Sequence, residues 1–385
     1  MTTLTQLIEH HCPKGVEYVK LGDVAEIARK TCQPARMGTG SVVLYSLPAF
    51  DEGAPERLDP TEIKSGKIIL SEPSLLVPKL NPRKPRVWLV KAPSPRSYCS
   101  TEFFPIQADN SSLSLRYLYY VICDTISELA FLVDGGSNSH KRLNRDIYLD
   151  LLIPLPAREV QDAIVERLDV FATLIESLDS EIALREKRFE YFREQLLNFD
   201  ESDGVEYMKL EDVAEYSSLR VDSVDLNADT FVGVDNLLKD RGGKTLSEHG
   251  PNTKRSTKYR VGDVLLGNIR PYLRKIWHAT NEGGCSGDVL AIHPSKVYSR
   301  FLYWTLFGDE FWHYNNNFSR GGKMPRGDKS AILAYQFPLP SLAVQQDIAD
   351  KLDTMQALID NLKQERDLRK AQFEYYREKL LTFNA

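Results

Sequence analysis

The chain carries the same twelve-residue pattern twice, and this internal repeat constrains its fold more than any other feature. Residues 15–26 read GVEYVKLGDVAE and residues 204–215 read GVEYMKLEDVAE, so ten of the twelve positions are identical. A longer pair, residues 153–199 and residues 337–383, is identical at 22 of 47 positions with a constant offset of 184 residues. Repetition on this scale indicates one structural unit built twice, and 385 residues suffice for two hydrophobic cores.

Between these similar ends, the interiors of the two halves match weakly but in the same order. LRYLYY (115–120) corresponds to SRFLYW (299–304), YCS (98–100) to GCS (284–286), and VPKLNPRKPRVW (77–88) loosely to LGNIRPYLRKIW (266–277). Each interior also ends in a Gly-Gly loop, DGGSNSHKR (134–142) and RGGKMPRGDK (320–329). A tandem duplication of this kind suggests one frame that carries two different specificities.

The two long repeated segments predict long helices that pair with each other. Apolar residues recur at alternating steps of four and three over about five heptads, which is typical of a helix-to-helix seam. The predicted seam positions are Leu168, Phe171, Ile175, Leu178, Ile182 and Phe189 in the first segment and Leu352, Met355, Ile359, Leu362 and Phe373 in the second. We expect the helices to pair antiparallel as a spacer. The alternative is that each helix packs only on its own domain.

The interiors of both halves mix short β-rich runs with Pro and Gly, and each has a helical segment near its end. This pattern predicts an α+β fold: two tandem-repeat α+β domains separated by a long antiparallel two-helix coiled coil, with pseudo-twofold symmetry. The predicted segments are a first domain over 1–152, a first spacer helix over 153–203, a second domain over 204–336 and a second spacer helix over 337–385.

Composition and charge limit the possible partners. No apolar run approaches the roughly 20 residues that cross a bilayer, and the five scattered cysteines include no CxxC pair. These features predict a cytoplasmic protein with reduced thiols and no membrane partner. The net charge is −5, but residues 73–101 contain six Lys or Arg and no acid. Local charge of this kind is what a nucleic-acid backbone responds to.

Three enzymatic motifs are incomplete. RGGKT (241–245) resembles the end of a phosphate-binding loop, but Leu238 stands where that motif requires glycine. Asp51, Glu62 and Lys64 have the residue types of a metal-dependent nuclease, yet the second half has no counterpart. An amino-methyltransferase would need a glycine-rich cofactor loop and an Asn/Asp-Pro-Pro-aromatic turn, which NPRK (81–84) does not supply, and the seven histidines lack metal-ligand spacing. We predict no catalytic residue, no metal and no cofactor in this chain, and we keep the nuclease as the enzymatic alternative.

The basic loops are better candidates for a functional site, because Lys and Arg recur at corresponding places in both halves while the surrounding letters differ. Arginine forks and amides read base edges, and lysines contact phosphates. The predicted DNA-binding residues of the first half are Lys79, Asn81, Arg83, Lys84, Arg86, Ser137, Asn138, His140, Lys141 and Arg142. Those of the second half are Asn268, Arg270, Tyr272, Arg274, Lys275, Arg320, Lys323, Arg326 and Lys329. A solvated basic loop is the alternative for each cluster.

Taken together, these motifs resemble the specificity (S) subunit of type I restriction-modification enzymes. The resemblance rests on VKLGDVAE at the start of a domain, GDVLLGNIRPYLRK in the second half, and IPLP followed by VQ and a long helix, with this arrangement repeated. It covers nearly the whole chain. In this family, it implies two target recognition domains that each read one part of a bipartite double-stranded DNA site, with an antiparallel coiled coil between them.

The resemblance also implies the partners. Two modification subunits, which carry S-adenosylmethionine, would dock on this non-catalytic chain, and restriction subunits would complete the complex. Because the two interiors differ, we expect the two half-sites to differ, with the helices setting the gap between them. A coiled-coil scaffold that never contacts nucleic acid is the third possibility. It would be distinguished by DNA binding in the presence of the modification subunit.

Overall fold

Both predicted long helices are present in the computed structural model of the chain, which describes residues 4–79, 84, 86–108, 111–132, 143–200 and 204–383. The first long helix runs over Arg158–Leu197 and the second over Leu342–Leu381, with 40 residues each. The chain forms two compact units, Met1–Leu178 with Glu365–Ala385, and Asp179–Gln364. The division therefore falls inside both long helices, and each unit contains a part of each. The four segments predicted from sequence remain a prediction.

The first unit combines short helices with three sheets. Its shorter helices are Leu4–His11, Leu21–Val24, Leu47–Glu52, Leu115–Leu132 and Arg145–Leu149. Its strands are Glu17–Lys20, Ala25–Ile27, Thr31–Cys32, Val42–Tyr45, Glu56–Leu58, Lys67–Leu70, Ser74–Pro78, Trp88–Val90, Ser97–Cys99, Phe103–Ala108 and Leu152–Leu155. Within the described residues these strands form a two-stranded, a four-stranded and a five-stranded sheet.

The second unit has a similar set of elements, with one shorter helix and one strand fewer among the described residues. Its shorter helices are Leu210–Val213, Ser299–Phe307, Asp309–Asn317 and Lys329–Leu333. Its strands are Glu206–Lys209, Ala214–Tyr216, Arg220–Asp222, Phe231–Val232, Arg255–Tyr259, Val264–Gly267, Ile276–His278, Gly283–Cys285, Val289–Pro294 and Gln336–Leu339. They form a two-stranded and two four-stranded sheets in the part of the unit that the structure describes. The predicted α+β class is confirmed for both halves.

The two ends of each repeat pair with each other. In the first unit, Glu17–Lys20 runs antiparallel to Leu152–Leu155, with Tyr18 opposite Pro154. In the second unit, Glu206–Lys209 pairs in the same register with Gln336–Leu339. The opening GVEY segment and the PLP segment are far apart in sequence, but they are neighbouring strands. Their joint repetition therefore preserves one structural element.

The interiors also share one topology despite their weak sequence match. In each unit a four-stranded antiparallel sheet carries a hairpin at its edge, Ser74–Pro78 with Trp88–Val90 or Val264–Gly267 with Ile276–His278. A second sheet in each unit contains one parallel pair, which involves Ser97–Cys99 in the first unit and Gly283–Cys285 in the second. Parallel strands need a long crossover connection, and each of these pairs joins strands that are far apart in the chain. The weakly matched YCS and GCS segments thus occupy the same topological position.

The long helices pack together as an antiparallel coiled coil, as predicted. In the first unit, the beginning of the first helix lies against the end of the second, and Phe171 stacks on Tyr376 at 5.4 Å between ring centroids. In the second unit, the end of the first helix lies against the beginning of the second, and Lys363 Nζ lies 2.7 Å from Glu186 Oε1. Of the predicted seam positions, Leu168, Leu178, Ile182, Phe189, Leu352 and Ile359 are buried, while Phe171, Ile175, Met355, Leu362 and Phe373 are partly buried.

A buried glutamine attaches each long helix to its own unit. Gln161 Oε1 accepts the Ser114 N–H at 2.8 Å, and Gln161 Nε2 donates to the carbonyl of Pro156 at 2.9 Å. Gln345, at the repeat-equivalent position, accepts the Tyr298 N–H at 2.8 Å and donates to a proline carbonyl at 2.7 Å. The glutamine of the repeated VQ motif therefore joins the turn into the long helix to the start of a shorter helix, Leu115–Leu132 or Ser299–Phe307, by satisfying a backbone group of each.

A repeated ion pair attaches the next turns of each helix. Asp353 accepts from Arg300 Nε at 2.9 Å and from Trp304 Nε1 at 2.8 Å. In the first unit Asp169 accepts from Arg116 Nε at 2.8 Å, at positions displaced by the same 184 residues. Because charge-assisted hydrogen bonds are directional, these pairs orient each helix on its unit.

Replacement of Gln345 by Ala should lower the free energy of unfolding of the second unit by about 2 kcal/mol, because a buried N–H and a buried carbonyl lose their partner. The neighbouring Gln346 is exposed, so Gln346→Ala provides a control with the same chemical change and an expected effect below about 0.5 kcal/mol. Urea unfolding of both variants measures the difference. Equal losses would contradict a specific role for the buried amide.

Candidate nucleic-acid interface

Two of the basic loops predicted from separate motifs meet in the second unit. The hairpin loop 268–275 connects Val264–Gly267 to Ile276–His278, and the Gly-Gly loop occupies residues 320–327. The Arg270 N–H donates to the carbonyl of Pro325 at 2.7 Å, and Ile269 and Arg326 form an isolated β-bridge. These backbone contacts join the two loops into one basic surface.

Arg270 combines an exposed side chain with a left-handed backbone. Its side chain is exposed, and no ion-pair partner for it occurs among the residues that the structure describes. Its backbone is left-handed, with φ 53° and ψ 63°, directly before the short turn Pro271–Leu273. An L-residue other than glycine adopts this conformation at a cost of about 1–2 kcal/mol, and such strain is concentrated at functional sites. Tyr272, at the tip of the turn, is also exposed.

Several of the other predicted DNA-binding cations of this unit are held by acidic side chains or by backbone. Arg274 donates to Asp240 at 2.8 Å, and this hydrogen bond lowers the pKa of the Asp240 carboxyl. Arg326 donates to Asp288 at 2.9 Å, which raises the pKa of Arg326. The Lys275 ammonium donates to a backbone carbonyl, and burial lowers its pKa.

Three further predicted cations lie at the rim of the surface. Arg320 is largely exposed, although its guanidinium lies 3.2 Å from Asp328. Lys323 and Lys329 are exposed, and neither has an ion-pair partner in the described part of the chain. Arg270, Lys323 and Lys329 are therefore the cations of this surface whose charge is not neutralised by a neighbouring carboxylate.

Asn268 lies inside the surface rather than on it. Its side chain is buried, its N–H donates to the Asp288 carbonyl at 2.8 Å, and its own carbonyl accepts from Gly327 at 3.1 Å. A Cβ at position 327 would lie 2.8 Å from Asn268 Oδ1 and 2.5 Å from Asn315 Oδ1. A larger residue at 327 would therefore displace these two asparagine side chains, and Asn268 and Gly327 pack closely where the two loops meet.

In the first unit the structure describes three of the predicted DNA-binding residues. The Lys79 ammonium lies 4.4 Å from the centre of the Phe104 ring, and the Lys79 carbonyl accepts the N–H of Leu143 at 2.8 Å. Lys84 and Arg86 both bind Asp51, at 2.8 Å each. The remaining predicted residues lie outside the described residues: Asn81, Arg83, Ser137, Asn138, His140, Lys141 and Arg142.

Two of the three residues of the nuclease alternative, Asp51 and Glu62, have other roles. Asp51 is bound by Arg86 and Lys84, which hold its pKa well below the usual range. Glu62 Oε1 accepts the Asp59 N–H at 2.8 Å and closes a capping box. Across the described ranges, no group of three or more His, Cys, Asp or Glu side chains is placed to hold a metal ion. None of the helices described there is long and apolar enough to cross a membrane.

The comparison with known proteins identifies the family. A model described as the type I restriction modification DNA specificity domain matches residues 13–184 and again residues 202–368. The chain belongs to this family. The two matches coincide with the internal repeat, so each half of the chain is one specificity domain. Type I specificity subunits are non-catalytic, and the nuclease alternative is not supported.

Individual relatives agree with this assignment. The chain is 26% identical over 304 residues to a specificity subunit of a type I restriction enzyme from Escherichia coli, which covers 71% of this chain and 72% of the relative. It is 25% identical over 298 residues to a putative type I specificity subunit from Mycoplasma pneumoniae, which covers 71% and 74%.

Two solved structures share the fold. The S subunit of a type I restriction-modification system from M. genitalium aligns with a TM-score of 0.61 at 14% identity, over 96% of this chain and 97% of that chain. A chain from a structure of a type I restriction-modification system aligns with a TM-score of 0.57 at 18% identity, over the same shares.

Sequence reasoning did not find the acidic partners of the basic loops. Asp240, Asp288 and Asp309 lie in separate segments, and no short motif links them to the arginines that they bind. The sequence also gives no sign that Arg241, the first residue of the incomplete RGGKT motif, pairs with Glu190 and Asp309. The equivalence of Gln161 and Gln345 was visible in the sequence, since each follows a valine at the same position of the two long repeated segments, 153–199 and 337–383.

Proposed function

We propose that this specificity subunit reads an asymmetric, interrupted target in double-stranded DNA, with one half-site read by each unit. The observation that carries the proposal is the combination of one topology with two different sets of loop residues. The two-stranded sheet and the four-stranded antiparallel sheet with its edge hairpin recur in both units, while the hairpin loops read KLNPRKPR in one unit and NIRPYLRK in the other. Because side chains in such loops determine base preference, the half-sites should differ in sequence.

In this proposal the exposed arginine and lysines of the loops contact the DNA, and the coiled coil sets the gap between the half-sites. Arg270 and Tyr272 lie at the hairpin turn, and Lys323 and Lys329 are exposed residues of the segment that bonds to this loop through Pro325 and Arg326. Lysines suit phosphates, and an arginine at a turn suits a guanine edge or a phosphate. Methyl transfer would come from modification subunits, which bind S-adenosylmethionine, and cleavage from restriction subunits.

The repeat also supports the docking of two modification subunits. In the second unit, Leu184 and Tyr191 of the first long helix are more than half exposed. In the first unit, Leu368 and Tyr375 of the second long helix occupy the equivalent repeat positions and are also more than half exposed. Residues seven apart share one face of a helix. Two equivalent apolar stripes favour two copies of one partner, which native mass measurement of the reconstituted complex would count.

The test of the proposed function is methylation mapping. Cells that express this chain with its modification subunit should methylate an interrupted motif whose two specified parts differ in sequence. Removal of the chain should abolish methylation at that motif. A continuous or palindromic motif, or methylation that persists without the chain, would contradict the proposal.

A further inference from the structure

The RGGKT segment, which the proposed function leaves without a role, lies between the first long helix and the hairpin loop of the second unit. The Arg241 side chain is 9% exposed, and its Nη1 donates to Glu190 Oε1 on the long helix at 3.4 Å. The same guanidinium binds Asp309 at the start of a shorter helix and lies 5.0 Å over the Phe307 ring. A charged side chain with so little exposure is fixed in place by these contacts.

The backbone of this segment is bonded directly to the hairpin loop. The Asp240 N–H donates to the carbonyl of Leu273 at 2.8 Å, and the Arg241 N–H donates to the carbonyl of Arg274 at 2.9 Å. The Arg274 side chain returns the contact, since it donates to Asp240 at 2.8 Å and to Asp309 at 3.1 Å. Asp309 thus binds Arg241 and Arg274 together. The long helix, the segment and the hairpin loop form one continuous polar network.

The same two segments carry the backbone strain of the molecule. The non-glycine residues with positive φ in the described part of the chain are Asp240, Arg241, Arg270 and Arg274. Each conformation costs about 1–2 kcal/mol and persists only where surrounding contacts hold it. The network supplies those contacts on one side of the turn, and the Arg270 hydrogen bond to Pro325 supplies them on the other. Loss of the network would allow the turn to relax and Arg270 to change direction.

We propose that Arg241 is a positioning residue for DNA recognition: it braces the hairpin turn against the first long helix and so holds Arg270 in its binding orientation. The inference rests on the proposed function, because Arg241 is assigned no DNA contact of its own and acts only through the contact proposed for Arg270. Glu190 accepts from Arg193 Nε at 3.1 Å as well as from Arg241. The Glu190 carboxylate that binds Arg241 is therefore itself held in place by a second arginine of the long helix.

The test is a double-mutant cycle, measured as the affinity of the complete specificity–modification complex for a duplex that contains the methylation-mapped target. Arg241→Ala should weaken binding about tenfold, and Arg270→Ala should weaken it by a similar factor. In the Arg270→Ala background, Arg241→Ala should change the affinity less than about twofold, since Arg270 is the side chain whose contact depends on Arg241. Arg241→Lys should recover part of the loss, because lysine reaches one carboxylate but not two at once.

Matched variants separate this role from general stability. Lys239→Ala removes an exposed charge of the same segment and should leave binding unchanged. Gln345→Ala destabilises the same unit at a different place and should not weaken binding at temperatures where the complex is folded. If Arg241→Ala does not fold, Asp309→Asn removes the shared carboxylate at an exposed position and should give the same pattern.

The outcomes distinguish the inference from the function on which it rests. If Arg270→Ala leaves affinity unchanged, the DNA role of the hairpin loop is wrong and the positioning role is lost with it. If Arg270→Ala weakens binding while Arg241→Ala and Asp309→Asn do not, the loop reads DNA but Arg241 does not position it. Additive losses in the double variant would likewise overturn the proposal, because they would indicate an independent contact.

Discussion

Duplication of residues 172–178 together with residues 358–364 should lengthen the gap in the methylated target by up to about three base pairs. Seven helical residues add about 10 Å at ~1.5 Å per residue, and one base pair occupies about 3.4 Å. Both duplications end where the two compact units divide, after Leu178 and after Gln364. They also preserve the heptad phase of the seam, so contacts within each unit are retained. Methylation mapping of cells that carry the variant measures the gap.

The control for this experiment is the duplication of residues 172–178 alone. It lengthens one helix of an antiparallel pair and leaves the other unchanged, so the seam cannot close over its full length and methylation should be lost. Longer helices that leave the gap unchanged, or that change the specified bases while the gap stays constant, would show that the coiled coil does not set the spacing.

Arg270→Ala should weaken DNA binding about tenfold and reduce the slope of log K against log salt concentration by about one. Arg270 is exposed, and no carboxylate neutralises it within the described residues. Arg274, by contrast, already donates hydrogen bonds to Asp240 and Asp309. Removal of Arg270 should therefore account for most of the loss seen when both arginines are replaced. Titration of the reconstituted complex with target duplex at several salt concentrations measures both quantities.

Arg188→Ala is the matched control, since it removes the same charge from an exposed position on the first long helix. Neither affinity nor slope should change beyond the small effect of net charge. A slope that stays the same in Arg270→Ala would exclude that residue from the phosphate contacts. An equal reduction in both variants would mean that long-range charge, rather than a contact at the hairpin, dominates the measurement.

The elements that sequence predicted well are those whose signal is local or repeated. The long helices follow from a heptad pattern that any pairing of the two segments must bury, and Phe189 and Ile359 lie in the core where that pattern places them. The α+β class follows from alternating runs and turns. The glutamines of the VQ motifs were visible only as identical letters. The structure supplies the reason, because each binds a proline carbonyl before its long helix and a backbone N–H at the start of a shorter helix.

The basic loops were predicted less completely, because a count of local charge does not show which charges are neutralised. Lys84 and Arg86 lie in a run of residues without acids, yet both bind Asp51, which lies more than thirty residues earlier in the chain. Arg326 is likewise bound by Asp288. Such pairs depend on the path of the whole chain through two sheets. Sequence separation hides them.

The sequence by itself therefore determined that one frame is built twice, that its ends are two long paired helices, and that basic hairpin loops differ between the halves. Sequence identity between the halves reveals the repeat, and the spacing of apolar residues reveals the helices, because the residues that must be buried recur at regular positions. Only the tertiary structure decided which arginines pair with carboxylates, as Arg241, Arg274 and Arg326 do. That choice depends on carboxylates brought close by folding, since the energy of an ion pair depends on distance in space rather than along the chain.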